Sequence, residues 1–334
     1  MLKATIAAPA NIAFIKYWGA KDLDRAIPNN PSISMTLSRC ISNCTVQPLG
    51  GDARADEIWL AQSGGGFATP AHDFGEKVRA QLDRVREWSG WEGSFRVATR
   101  TEFPSAAGLA SSASGFAALT LACVAALDRM ATPQELSALA RRSGSGSAAR
   151  SCFGGYVEWP AGGPEDDPWA GCLASADDWD LRDVIAVVEI GPKTIPSLEG
   201  HRRAPSSPYY QRRLELLPER LERTRLAIRE RDLSLLGPAL EEEAIDLHLI
   251  AMSSRPPVFY WSSGTVEVLR LIREMRQEGV EAWATMDAGA NVHVICTPEA
   301  EDDVAERLEE LPAVGFVIRD CVGPGPSREI EHLF

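Results

Sequence analysis

Between residues 184 and 320 the apolar pattern changes period in a fixed order, and that order admits few folds. Val184 to Ile190 is a run rich in β-branched residues, of the kind that forms a strand. Arg212 to Ile250 repeats its apolar residues at helical spacing, with interruptions near Pro218 and Pro238. A helical pattern over Thr265 to Glu278 then stops at Gly279. It is followed by strand patterns over Ala282 to Met286 and Val292 to Cys296, a helical pattern over Glu301 to Leu311 and a last strand over Gly315 to Asp320. With the helical insertion set aside, the order is β-α-β-β-α-β, the succession of a ferredoxin-like layer. We therefore expect an α+β fold with that layer at its C-terminal end.

The chain before residue 100 reads mostly as strands, over Ala4 to Pro9, Ser32 to Leu37, Thr45 to Leu49, Glu57 to Ala61 and Ser94 to Arg100. One helix interrupts them, because Phe74, Val78, Leu82, Val85 and Trp88 recur on one helical face. A more hydrophobic helix covers Ser112 to Leu127. Thr132, Pro133 and Glu135 form a capping-box start for another that runs to Arg142. Gly155 to Trp159 reads as a strand, and the Gly, Pro and Asp-rich stretch from Pro160 to Trp179 as a surface loop. The length, 334 residues, corresponds to about two domains. Placing the boundary in that loop divides the chain into 1–180 and 181–334.

The formal net charge of −13 repels a nucleic-acid backbone and an anionic membrane at long range, so neither is an expected partner. An anionic small molecule remains compatible, since a few converging N–H groups and cationic side chains reverse the potential inside one pocket. Seven cysteines with no CxxC pair indicate buried free thiols, neither a disulfide framework nor a zinc ribbon. The N-terminal stretch lacks the pattern of a secretory leader and no window is apolar enough to span a bilayer, so a cytoplasmic protein is expected.

Three segments carry chemistry. Pro104 to Gly115, PSAAGLASSASG, lies between a strand and the hydrophobic helix. Its small residues let backbone approach a ligand, and the N–H groups of a helix start with the hydroxyls of Ser111 and Ser112 suit phosphate oxygens. A simple small-residue turn reads equally well, and the GK[ST] ending of a Walker loop is missing. Arg141 to Arg150, RRSGSGSAAR, places Ser145, Ser147 and Arg150 in a Gly-interrupted loop; an Arg fork suits a carboxylate or phosphate, although a solvated loop is the commoner origin of such a string. Met286 to Asn291, MDAGAN, is a hairpin turn in which Asp287 either bonds its own backbone or does chemistry.

Taken in order with Asn11 to Gly19 (NIAFIKYWG) and Ile27 to Leu37 (IPNNPSISMTL), these segments resemble the mevalonate diphosphate decarboxylase family, within the superfamily of galactokinase, homoserine kinase, mevalonate kinase and phosphomevalonate kinase. The resemblance extends over FPSAAGLASSASG, RRSGSGSAARSCFGGYVEW and TMDAGANVHVI, nearly the whole chain. It implies a two-domain fold, an N-terminal ATP-binding α+β domain and a C-terminal ferredoxin-like domain, with ATP and Mg²⁺ as cofactors and assembly as a homodimer. The implied reaction is ATP-dependent phosphorylation of a tertiary alcohol, then loss of that phosphate with CO2. By the same resemblance Ser105, Ala106, Gly108, Ala110, Ser111 and Ser112 cradle ATP, Asp287 faces the substrate 3-hydroxyl, Lys16 is its cationic neighbour and Arg150 holds the carboxylate. Tyr17, Lys21, Ser145, Ser147 and Ser197 fall to the 5-phosphate end. No protein metal site is implied.

Two departures bear on the substrate. Where the family generally reads KYWGK this chain has Ala20, with Lys21 next, and the family's Ser-Arg pair aligns with Ser197-Leu198. Both remove positive charge from the terminal phosphate, which needs counter-charge in a partly desolvated pocket. The expectation is therefore mevalonate 5-phosphate, giving isopentenyl phosphate. The alternative is the 5-diphosphate, with Lys21, His201, Arg202 or Arg203 supplying the charge. A superfamily kinase that stops at phosphorylation, or a noncatalytic anion binder, are the rival classes. Glu241, Glu242, Glu243, Asp246 and His248 read as a solvated acidic helix face, not a metal set.

Overall fold

The computed structural model describes residues 2–52, 55–62, 64–103, 111–163, 166–191 and 195–334. Its N-terminal part contains β1 (Ala4–Ile15), a small hairpin of β2 (Ala20–Asp22) and β3 (Ile27–Pro28), β4 (Ser32–Leu49), β5 (Glu57–Ala61), β6 (Phe67–Ala68), α1 (His72–Ser89), β7 (Ser94–Thr101), α2 (Ser111–Ala126), α3 (Pro133–Arg141), β8 (Tyr156–Trp159) and β9 (Gly171–Ala174). The remainder contains β10 (Arg182–Val187), α4 (Ser197–Arg203), α5 (Tyr210–Glu230), α6 (Leu233–Ser253), α7 (Ser263–Gln277), β11 (Ala282–Thr285), β12 (Val292–Cys296), α8 (Glu301–Glu309), β13 (Phe316–Cys321) and β14 (Ser327–Glu329).

The larger sheet runs β14-β1-β4-β7-β5-β6, with β8 and β9 added along the other end of β4. Helices α1 and α2 cover one face through Val78, Leu82, Val85, Phe116 and Leu119, packed on Ile6, Val46, Phe95 and Val97. The second sheet runs β11-β12-β10-β13, all antiparallel, which is the ferredoxin-like order expected from the sequence. Successive residues of β10 serve opposite faces, as the two-residue period of a strand requires. Val184 and Ala186 pack on α7 and α8 through Val268, Ile272, Val304 and Leu308. Ile185 and Val187 join a core that also holds Ile12, Phe14, Met35, Leu217, Leu236 and Leu240. That core ties the two sheets to the α5–α6 pair.

Four local expectations are corrected. Ser32 to Leu37 and Thr45 to Leu49 belong to one strand, because the polar residues between them are supported from outside the ladder: Asp320 accepts the N–H groups of Ser38, Arg39 and Cys40 at 2.8, 2.9 and 2.9 Å. Pro218 and Pro238 lie inside α5 and α6, and the break falls between the helices, where Arg231 turns left-handed (φ 58°) and Asp232 caps α6 by accepting Leu235 N–H at 3.2 Å. The loop after β8 contains β9, which pairs with β8. All seven cysteines are free, but Cys172 is exposed and Cys152 and Cys321 are half-buried, so burial holds only for the other four.

Among the described residues no helix is long and apolar enough to cross a membrane.

Candidate active site

The site forms where β1 leaves the larger sheet. Its register with β4 shifts between Pro9 and Asn11 and again between Ala13 and Ile15, irregularities that re-aim side chains beside functional sites. Lys16 follows the last residue of β1 and is buried, 1% exposed. Its ammonium donates to the Ala13 carbonyl at 2.7 Å and to Asp287 Oδ1 at 2.8 Å. Asp287 lies in the connection between β11 and β12, with its carbonyl accepting Gly289 N–H at 2.7 Å, so the hairpin reading and the site reading describe the same residue.

Burial lowers the Lys16 pKa, against the opposing pull of Asp287 and Glu243. Burial alone would push the Asp287 carboxyl up, but Lys16, then His293 and Arg150, outweigh it and hold it below the ordinary aspartate value. Asp287 therefore stays ionised. His293 is itself tethered, its Nδ1 lying 2.7 Å from Asp183 Oδ2 across β10 and β12.

Arg150 lies in the last turn of the short 3-10 segment Gly146–Cys152 and is buried. Its Nε donates to Asn11 Oδ1 at 3.1 Å and its Nη1 to Ser32 Oγ at 2.6 Å, which fixes the plane of the guanidinium. Asn11 is oriented in turn by donating to Ser151 Oγ at 2.8 Å. Burial draws the Arg150 pKa down to about 10, so the group is cationic at neutral pH.

From Arg150 a line of hydroxyls leads to α2. Ser147 Oγ lies 3.5 Å from Ser145 Oγ, which lies 3.2 Å from Ser112 Oγ. Ser111 and Ser112 open α2, whose first turn carries no acidic residue, so no carboxylate of that turn opposes the positive end of the helix, which fits phosphate oxygens. Ser105, Ala106, Gly108 and Ala110 lie outside the described residues. No group of three or more His, Cys, Asp or Glu suited to a metal occurs among the described residues. A magnesium ion would be held by oxygens of the nucleotide phosphates, the hard ligands that ion takes.

Tyr17 covers Gly146. Its ring lies 4.9 Å from Trp159 and 4.3 Å from His201, and a Cβ on Gly146 would meet it at 2.8 Å. Gly19 (φ 81°) lets the chain turn beneath Tyr210, whose hydroxyl sits where a Cβ would be. Ser197 opens α4, the helix that brings His201 onto Tyr17 and Trp18. Lys21 is exposed on β2.

Three of the four charges expected to replace a missing Lys and Arg are neutral or committed elsewhere. Burial, followed by Arg213, pushes the His201 imidazole down to about 3, so it is neutral, and its Nδ1 accepts Gly19 N–H at 3.1 Å. Arg202 and Arg203 both pair with Glu199, at 2.5 and 2.7 Å. Leu198 is 44% exposed.

The acidic stretch of α6 is not a solvated face. Glu243 is wholly buried between Arg213 and Arg220, Asp246 pairs with Arg220 at 2.6 Å, Glu241 pairs with Arg276 at 3.0 Å, and His248 is buried against Trp261. Helical periodicity misled here because the opposing arginines sit on two other helices, α5 and α7. Asn11, Asn30, Ser32 and His293 lie within the quoted motifs without being singled out, and Arg213 has no local signal.

The profile of the diphosphomevalonate decarboxylase-like N-terminal domain matches residues 8–170, and that of the mevalonate 5-diphosphate decarboxylase C-terminal domain matches residues 183–320. The diphosphomevalonate decarboxylase of Candida albicans is 32% identical over 361 residues, which cover 100% of this chain and 99% of that protein. The crystal structure of mevalonate diphosphate decarboxylase from Staphylococcus aureus superposes with a TM-score of 0.89 at 32% identity, over 98% of each chain. MDDEF in complex with MVAPP, AMPPCP and magnesium gives a TM-score of 0.87 at 32% identity, over 98% of this chain and 99% of that one. With matches over essentially the full length on both sides, the chain belongs to the diphosphomevalonate decarboxylase family.

Proposed function

We propose that the protein catalyses ATP-dependent decarboxylation of 5-phosphorylated mevalonate, first phosphorylating the 3-hydroxyl and then releasing phosphate and CO2. The observation that carries this reading is the Lys16–Asp287 ion pair at 2.8 Å, with the Arg150 guanidinium close enough to lower the Asp287 pKa. A tertiary hydroxyl is crowded and weakly nucleophilic, so it must be aligned with the γ-phosphate and relieved of its proton as transfer proceeds. Asp287, kept ionised by Lys16, accepts that proton. In the second step positive charge develops at C3 while the carboxylate supplies electrons. Arg150 binds that carboxylate without protonating it, its guanidinium plane fixed through Nε by Asn11 and through Nη1 by Ser32.

ATP is placed at the start of α2 by Ser111 and Ser112, together with the Ser105 to Ala110 segment. Magnesium, held by the nucleotide phosphates, would neutralise charge on the transferring group. Tyr17, Ser145, Ser147, Lys21 and Ser197 are assigned to the 5-phosphate end.

For the number of phosphates we favour mevalonate 5-diphosphate, giving isopentenyl diphosphate, because the relatives named above are diphosphate decarboxylases. This reverses the expectation drawn from the sequence. Mevalonate 5-phosphate is the second reading, favoured by Ala20 and Leu198 and by the neutral or paired state of His201, Arg202 and Arg203. Assembly as a homodimer rests on family membership alone, and sedimentation analysis reads it directly. The function is tested by incubating the protein with ATP and Mg²⁺ plus mevalonate, its 5-phosphate or its 5-diphosphate. Equal amounts of ADP, phosphate and CO2 support decarboxylation, ADP without CO2 indicates a kinase, and no turnover indicates an anion binder.

A further inference from the structure

Lys16 is held by more than its ammonium. It is the first residue past β1, where the ladder no longer fixes the backbone. Its N–H donates to Glu243 Oε1 at 3.2 Å, and its carbonyl accepts from Arg213 Nη2 at 2.8 Å and from Asn30 Nδ2 at 2.9 Å. These partners are joined to one another. Arg213 Nε donates to Glu243 Oε1 at 3.1 Å and Arg213 Nη1 to Asn30 Oδ1 at 3.3 Å, while the second carboxylate oxygen of Glu243 accepts from Arg220 Nη1 at 3.0 Å. The Arg213 and Glu243 side chains are 1% and 0% exposed.

A buried ion pair adds little stability, because desolvation offsets most of the attraction. What this pair does specifically is geometric. It holds the peptide groups on both sides of the Lys16 Cα and leaves the side chain directed at Ala13 and Asp287. We infer that Glu243 and Arg213, carried by α6 and α5, are positioning residues for phosphoryl transfer that fix the Lys16 backbone so that its ammonium meets Asp287. Neither touches the reacting atoms. The inference rests on the reading of Lys16 and Asp287 given above. Asn30 completes the clamp from the segment before β4, so three separate parts of the chain converge on one residue.

The test replaces both charges together, so that neither is stranded: Arg213→Leu with Glu243→Leu. We expect thermal stability close to wild type, kcat about tenfold to a hundredfold lower and an almost unchanged KM for ATP, since a small misplacement costs transfer and not nucleotide binding. The pair Arg213→Leu with Glu243→Gln keeps an acceptor for Lys16 N–H and should recover part of kcat at the same stability. Wild-type kcat in the double leucine variant overturns the inference, as does a loss of kcat that merely follows the melting temperature across both pairs. Lys16→Met, measured in parallel, separates the levels. Wild-type turnover in Lys16→Met overturns the site reading itself, whereas an inactive Lys16→Met beside a fully active double variant overturns the clamp alone.

Discussion

Lys16 and Asp287 stand 271 positions apart in the chain and 2.8 Å apart in the structure, one buried at the end of β1 and the other in the turn between β11 and β12 with a third of its side chain exposed. The exposed portion is where a substrate hydroxyl can reach. Asp287→Asn removes the proton acceptor while keeping the shape. The expected outcome is a loss of kcat of about a thousandfold, within the range for general bases, with nucleotide affinity nearly unchanged. Equilibrium binding of an ATP analogue alongside ADP release checks it, and ADP formation near the wild-type rate would sink the assignment.

The same pair sets a pH dependence. Asp287 is depressed in the folded protein, so it stabilises the fold fully above its unfolded value, about 4, and that contribution disappears as pH falls through the lower folded value. The difference in melting temperature between wild type and Asp287→Asn should be constant from pH 5 to 7 and shrink below pH 4. A difference that stays flat down to pH 2 would mean that Lys16 does not hold Asp287 ionised.

Arg150→Lys should weaken both binding and turnover of the phosphorylated substrate. The guanidinium is fixed by Asn11 and Ser32 at 3.1 and 2.6 Å, and an ammonium cannot keep those contacts while presenting a donor to a carboxylate. Losing a charge-assisted contact of about 1.5 to 3 kcal/mol corresponds to roughly a tenfold to hundredfold fall in kcat/KM. Steady-state kinetics with the natural substrate decide it, and unchanged kinetics would leave Arg150 a structural residue of the 3-10 segment.

Much of the layer holding these groups is legible in the sequence, because its signals are periodic and local. Val292–Cys296 is read to the residue, and the Thr132–Glu135 capping box forms as expected. What escapes is what depends on another element. The backbone of Ser38 to Cys40 stays extended because Asp320 accepts its N–H groups, and nothing within those residues announces that partner. Glu243 looks solvated in α6 until Arg213 and Arg220 of α5 are placed against it. Asp287 is the intermediate case: turn chemistry locates it, but its counter-ion lies at the other end of the chain.

Gly146→Ala should act through Tyr17. The added methyl would lie 2.8 Å from Tyr17 Cε1 and 3.0 Å from Trp159 Cη2, two packed rings that cannot both withdraw. Overpacking of this kind costs about 1 to 3 kcal/mol. A lower melting temperature is expected together with a raised KM for the phosphorylated substrate, while KM for ATP is spared. Equal increases in the two KM values would show that Tyr17 and Gly146 do not belong to the 5-phosphate end.

The number of phosphates is the assignment with the sharpest test, because family membership and local charge point in opposite directions. Relatives named for the diphosphate favour that substrate, whereas Ala20 and Leu198 leave its terminal phosphate without the two cations that the family pattern places there. His201 is neutral, and Arg202 and Arg203 are paired with Glu199, which leaves exposed Lys21 as the neighbour able to swing in. If the diphosphate is the substrate, it outcompetes the monophosphate at equal concentration, and Lys21→Ala lowers kcat/KM for the diphosphate by about tenfold or more while sparing the monophosphate. Under the second reading the unmodified enzyme makes isopentenyl phosphate. Ala20→Lys with Leu198→Arg then moves preference toward the diphosphate by about a hundredfold or more, each new charge-assisted contact contributing on the order of 1.5 to 3 kcal/mol. Mass analysis of the competition products decides between the two, and predominant isopentenyl phosphate from the unmodified enzyme would overturn the diphosphate assignment.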